Sequence, residues 1–120
     1  MYRGDPVRGE YNGTSIGAPE VPIYREGSLN AHTLAADEIL VITEALIDCA
    51  VGNSELRLFI GADSTPGAGE TVIHVKFPAA GTAMMERVGI EVSTGAGNKP
   101  YLLGDTADAR CQFSGYIQKV

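Results

Sequence analysis

The sequence predicts an all-β protein, an antiparallel β-sandwich or jelly roll of about six to eight strands with an extended N-terminal arm. Three observations carry that expectation. Short runs rich in β-branched residues alternate apolar and polar with period two. Breaker-rich loops separate them, with fifteen Gly and six Pro to supply the turns. No βαβ alternation and no internal repeat competes with this pattern. At 120 residues and 44% hydrophobic content, the chain has room for one globular core and not two.

Residues 1–28 hold five Gly and three Pro, and their apolar residues are scattered singly. Proline brings no donor and glycine loses the most entropy on ordering, so this stretch gains little by folding alone. It reads as an extended arm: either a frayed tail, as termini often are, or an arm that orders against a neighbour with Val21, Ile23, Tyr24 and Leu29 as anchors. The β domain then spans 29–120. Its strongest strand is 38–49, with Ile39, Val41, Thr43, Ala45, Ile47 and Cys49 on one face and Leu40, Ile42 and Leu46 on the other. A Gly52-Asn53 turn joins it to 55–60, where Leu56, Leu58 and Ile60 point inward. Segment 70–77 alternates Thr71, Ile73, Val75 and Phe77 against Glu70, Val72, His74 and Lys76. Strands at 88–93, 99–103 and 109–118 complete the set, the last with Cys111, Phe113 and Ile117 inward. The loops fall at 61–69, 78–82, 94–98 and 104–108, and 83–87 is the one stretch suited to a helical turn.

The net charge of −6 argues against a direct nucleic-acid partner, because phosphate backbones are held by clustered cations. No apolar run approaches the ~20 residues of a membrane span. The first ten residues carry Arg3, Asp5, Arg8 and Glu10, so no secretory leader is expected. Cys49 and Cys111 occupy inward phases of two strands; buried free thiols are favoured, with a disulfide left open. His32 and His74 stand apart from each other and from both Cys, which gives neither a metal-ligand spacing nor a Cys–His nucleophile. Asp37, Glu38, Asp105 and Asp108 read as solvated charge at strand ends and turns. Gly67-Ala68-Gly69 and Gly95-Ala96-Gly97 lack the GK[ST] ending of a phosphate loop and read as hairpin loops. Arg3-Gly4-Asp5 matches an integrin tripeptide by letter alone. No catalytic residue, no cofactor and no metal is therefore expected, and the chain does not read as an enzyme.

Leu102-Leu103-Gly104-Asp105, followed by Ala107-Asp108-Ala109-Arg110-Cys111-Gln112-Phe113-Ser114-Gly115-Tyr116-Ile117, resembles the closing strand of small jelly-roll proteins of tailed bacteriophages. Leu34-Ala35-Ala36-Asp37-Glu38-Ile39-Leu40-Val41-Ile42 is similar to their second strand. The family is that of the capsid decoration, or cement, proteins. The resemblance implies a homotrimer that bridges major capsid protein subunits and stiffens the shell against packaged DNA. Its place would be the capsid surface of the virion, reached from the host cytoplasm during assembly. The arm residues Tyr11, Ile16, Val21, Ile23 and Tyr24 would then touch the capsid or a neighbouring subunit.

The alternative is a receptor- or carbohydrate-binding jelly-roll module of a phage fibre or tail. Tyr101 or Tyr116 would serve there as a stacking platform near Asp105 and Asp108. A cupin-type enzyme shares the fold class but needs two His close together in one motif, which this chain lacks.

Overall fold

Alternating β-branched runs make strands, and the longest of them, 38–49, becomes the longest strand of the structure. The structure, a computed structural model, describes residues 4–49, 54–65, 69–77, 84–93 and 95–120. Among these, the regular elements are β1 (Asp5–Gly13), β2 (Ile23–Arg25), β3 (Glu38–Cys49), β4 (Glu55–Gly61), β5 (Gly69–Lys76), β6 (Met84–Ser93), β7 (Lys99–Gly104) and β8 (Ala109–Lys119). They form two antiparallel sheets, β2-β1-β8-β3-β6 and β5-β4-β7, so the protein is an all-β sandwich. The Gly52-Asn53 turn, Arg3, Gly67, Ala68 and the 78–82 loop lie outside the described residues. Residues 84–87, expected in a helical turn, are instead the start of β6, paired along β3 from Leu46 to Cys49. The ladder to a long neighbouring strand outweighs the weak local helical preference of two Met, Glu and Arg.

The pairing is nested. β1 pairs with β8, β3 with β6, and β4 with β5. Between β1 and β2, residues 15–21 run beside β7: Val21 N–H donates to Pro100 O, Leu102 N–H to Pro19 O, and Glu20 bridges Tyr101. One long hairpin, doubled back at the β4–β5 connection, is thereby wound into two layers, which is the pairing of a jelly roll. Ser15 fastens the start of the 15–21 segment: the buried hydroxyl accepts from Thr106 N–H at 3.3 Å and donates to Thr106 O at 3.0 Å.

The core lies between the sheets. Leu40, Ile42, Ile47, Leu56, Leu58, Ile60 and Leu102 are fully buried there, with Phe77, Phe113 and Ile117. Each such side chain contributes about 1.5–3 kcal/mol by leaving water. A β-bulge at Thr43 corrects the expected phase of β3. The register passes from Ile42 to Glu44 against single steps on β8, so Thr43 is the extra residue. Leu40 and Ile42 before it, and Ala45, Ile47 and Cys49 after it, therefore share the core side. A second bulge, between Leu58 and Phe59 in the β4–β5 pairing, lets Val72 as well as Ile73 be buried.

The N-terminal segment departs furthest from expectation. Residues 5–13 are not an arm but a full strand inside the larger sheet, paired from Asp5–Ile117 to Gly13–Ala109 on one side. On the other side β1 pairs with β2, Val7 against Arg25 through Gly9 against Ile23. Val7, Val21 and Ile23 enter the core. Composition misleads here because neighbours supply what the segment lacks. Gly9 sits opposite Phe113, whose ring lies where a Cβ on Gly9 would stand, 2.1 Å from the nearest ring carbon. The glycine thus gives the aromatic ring its seat, and the ring covers backbone that glycine leaves bare.

Candidate functional site

Five residues were expected to touch a capsid or a neighbouring subunit, and the structure divides them. Val21 and Ile23 are 1% and 3% exposed and pack in the chain's own core. They correct the expectation, because a side chain committed to that core has no surface left for a partner. Tyr11 is half-buried against the core and donates its hydroxyl hydrogen to Thr14 O. Tyr24 is half-buried under the Arg8 guanidinium, 5.0 Å from the ring centroid. Ile16 alone of the five is an exposed large apolar residue, at 62%. Two more stand out, Leu29 at 90% and Val120 at 80%. The strand directions put Ile16 at one end of the sandwich, after β1, and Leu29 and Val120 together at the other, after β2 and β8.

That second end is organised by Glu38, which opens β3 and is only 3% exposed. Its reading as solvated charge is corrected. The carboxylate Oε1 accepts from Ala35 N–H at 2.8 Å and lies 3.0 Å from His32 Nε2, while Oε2 accepts from Arg25 Nη2 at 3.3 Å. Arg25 Nη1 continues to Asp5 Oδ2 at 3.0 Å. One carboxylate therefore ties β2, the 32–35 turn and β3 together, and Asp5 extends the tie to β1. The Ala35 N–H holds the Glu38 carboxyl below its usual range; burial pushes the other way, and His32 and Arg25 add to the lowering. The signal missed in the sequence is local. Glu38 N–H donates back to Ala35 O, so the turn that starts the strand folds the carboxylate over its own backbone.

The outer face of the β5-β4-β7 sheet carries two different patches. Phe59 and Tyr101 stack there with ring centroids 5.5 Å apart, and both are buried. Burial raises the Tyr101 hydroxyl pKa, and Glu20 and Asp63 add to the rise. The proposed Tyr101 stacking platform is therefore corrected. Tyr116 is half-buried, and its hydroxyl reaches Glu91 Oε1 at 3.1 Å across β3. Beside the aromatic pair is a shallow cleft of about 340 Å³, lined by Glu55, Arg57, His74, Leu103, Gly104 and Asp105. Arg57 and His74 face each other across β4 and β5. A guanidinium can only donate, so His74 Nδ1 accepts from Arg57 Nη2 at 3.4 Å and Nε2–H donates to Glu55 Oε1 at 2.5 Å. Asp105 Oδ1 accepts from Glu55 N–H at 3.0 Å, which fixes the cleft's far wall.

Cys49 and Cys111 are buried thiols outside any disulfide, on adjacent strands and diagonal in register because Cys111 faces Ile47 and Cys49 faces Ala109. Burial pushes the Cys111 thiol up to about 12, far from a nucleophile's range. Gly97, of the second glycine pair, donates its N–H to Glu38 O, and Asp108 N–H donates to Thr106 Oγ1. Among the described residues no group of three His, Cys, Asp or Glu converges as a metal site would require. Among the described residues there is no helix long and apolar enough to cross a membrane. No protein-family model matches the chain, and the search of curated proteins finds no relative.

Proposed function

We propose that this protein is a structural virion protein that decorates and stabilises a tailed-bacteriophage capsid, bridging major capsid protein subunits as a homotrimer. The observation that supports the reading most is the nested jelly-roll pairing with β8 at the centre of the larger sheet, a fold used in viral shells. The segment that resembles the decoration family, 102–117, supplies that central strand. Its Gly115 is required there, because a Cβ would stand 2.0 Å from Val41 O. Binding of this kind needs no bond-making chemistry. It works through shape complementarity and modest contacts multiplied over the copies of a trimer.

With β1 and β2 taken up in the sheet, the capsid contacts fall to what is left exposed. Leu29 and Val120 share one end of the sandwich, the end at which Glu38 ties β2 to β3. The net charge of −6 keeps decorated particles apart. The test is light scattering on the full chain, then co-sedimentation with capsids of the virus that carries it. A mass of three chains and saturable co-sedimentation, weakened by Leu29→Asp, is expected. A monomer that stays in the supernatant at saturating capsid overturns the reading.

A further inference from the structure

We infer that the cleft on the outer face of the β5-β4-β7 sheet, walled by Glu55, Arg57, His74 and Asp105, binds a neutral hydroxyl-rich ligand, namely a sugar residue. Its volume of about 340 Å³ lies at the small end of ligand sites, which suits one ring rather than a chain. The wall chemistry is mixed. Arg57 offers only donors and the two carboxylates only acceptors, so a ligand group serving both must donate and accept, as a hydroxyl does. Charge narrows the class further. An anion drawn to Arg57 would meet Glu55 and Asp105, and a cation drawn to the carboxylates would meet Arg57. A neutral polyol meets neither penalty.

Arg57 carries the second observation. Among the described residues it forms no ion pair, although two carboxylates line the same cleft. Its one bond in the cleft is the 3.4 Å contact to His74, and its buried Nε has no hydrogen-bond partner. Glu55 is occupied by His74, and Asp105 is turned onto the Glu55 backbone. The internal bonds thus fix the walls while leaving the guanidinium's outer donors unneutralised. Half-buried Leu103 offers an apolar floor for the C–H face of a sugar ring. The aromatic pair on this face is buried and not part of the lining, so affinity should be in the millimolar range.

The test titrates the unmodified full chain with the methyl glycosides of glucose, galactose, mannose and N-acetylglucosamine, followed by amide ¹H–¹⁵N chemical shifts. At least one sugar should give saturable shifts confined to the cleft residues. Arg57→Gln and His74→Ala should each weaken that binding at least tenfold while the melting temperature is kept. Asp48→Asn, on the other sheet, should leave it unchanged. Three results would overturn the inference: no saturable shift up to about 50 mM sugar, saturable shifts mapping elsewhere, or equal binding by both cleft variants. Acetate saturating the same amides in place of the sugars would also overturn it, by making the site anionic in preference. The outcome is independent of capsid attachment, which the sugars do not probe.

Discussion

Replacing Glu38 separates a stabilising junction from ordinary surface charge. The carboxylate is 3% exposed and receives the Ala35 N–H, the Arg25 guanidinium and the His32 ring. In Glu38→Ala the Ala35 donor loses a charged acceptor, worth about 1.5–3 kcal/mol. The Arg25 side chain is 42% exposed and can turn to water, so that pair adds less than about 1 kcal/mol. A total near 2–3 kcal/mol lowers Tm by roughly 8–12 °C in a chain of this size. Glu38→Gln keeps an oxygen for Ala35 and loses only the charge, so its cost should be about half as large. The pH dependence has a definite sign. Because the folded-state pKa is lowered, the contribution is fully present above the ordinary glutamate range and is lost as pH falls through the folded value. The stability gap between wild type and Glu38→Gln should therefore shrink on acidification below that range. The assay is urea unfolding at a series of pH values, read by circular dichroism. An Ala variant within about 0.5 kcal/mol of wild type at neutral pH would refute the reasoning.

Three other outcomes are expected. Deleting residues 1–28 removes Val7, Val21 and Ile23 from the core, each worth about 1.5–3 kcal/mol, and strips β8 of one neighbour along its length. That loss rivals a whole domain's stability of about 5–15 kcal/mol, so the truncated chain should show no cooperative melt; a sharp one would contradict the placement of β1. Gly9→Val should cost about 1–3 kcal/mol by forcing the Phe113 ring from its seat, and an unchanged urea midpoint would remove that contact from the account. Reducing agent should leave Tm unchanged, and an aromatic disulfide reagent should label Cys49 and Cys111 only on unfolding, since both are buried and neither is in a disulfide. Rapid labelling of the native protein would show that the strands around them open readily.

Much of the sandwich was legible in the sequence. Period-two alternation in 55–60 and 109–118 fixed which side chains face the core, because successive residues on a strand point to opposite sheet faces. Leu56, Leu58 and Ile60, and Cys111, Phe113 and Ile117, are all buried as that rule requires. The stacked Phe59 and Tyr101 were less legible, since both sit on the outward phase and are nonetheless buried. The cleft was legible only in pieces: alternation with the inward Leu56 and Leu58 sets Arg57 outward, and His74 alternates with Ile73 and Val75, while their meeting with Asp105 depends on the register of three strands.

By itself, the sequence determined the fold class and most strand limits, because those depend on side-chain shape and polarity repeating at short range. Tertiary structure decided the rest. Whether 5–13 is part of an arm or a strand turned on β8 offering a free ladder and on Phe113 filling the space above Gly9. Whether Leu40 and Ala45 share a face turned on one extra residue at Thr43. Whether Glu38 meets water turned on Arg25 and His32 arriving from other segments. Each depends on contacts made only when the fold closes, whether the partner is far along the chain, as Phe113 is from Gly9, or near, as Arg25 and His32 are to Glu38.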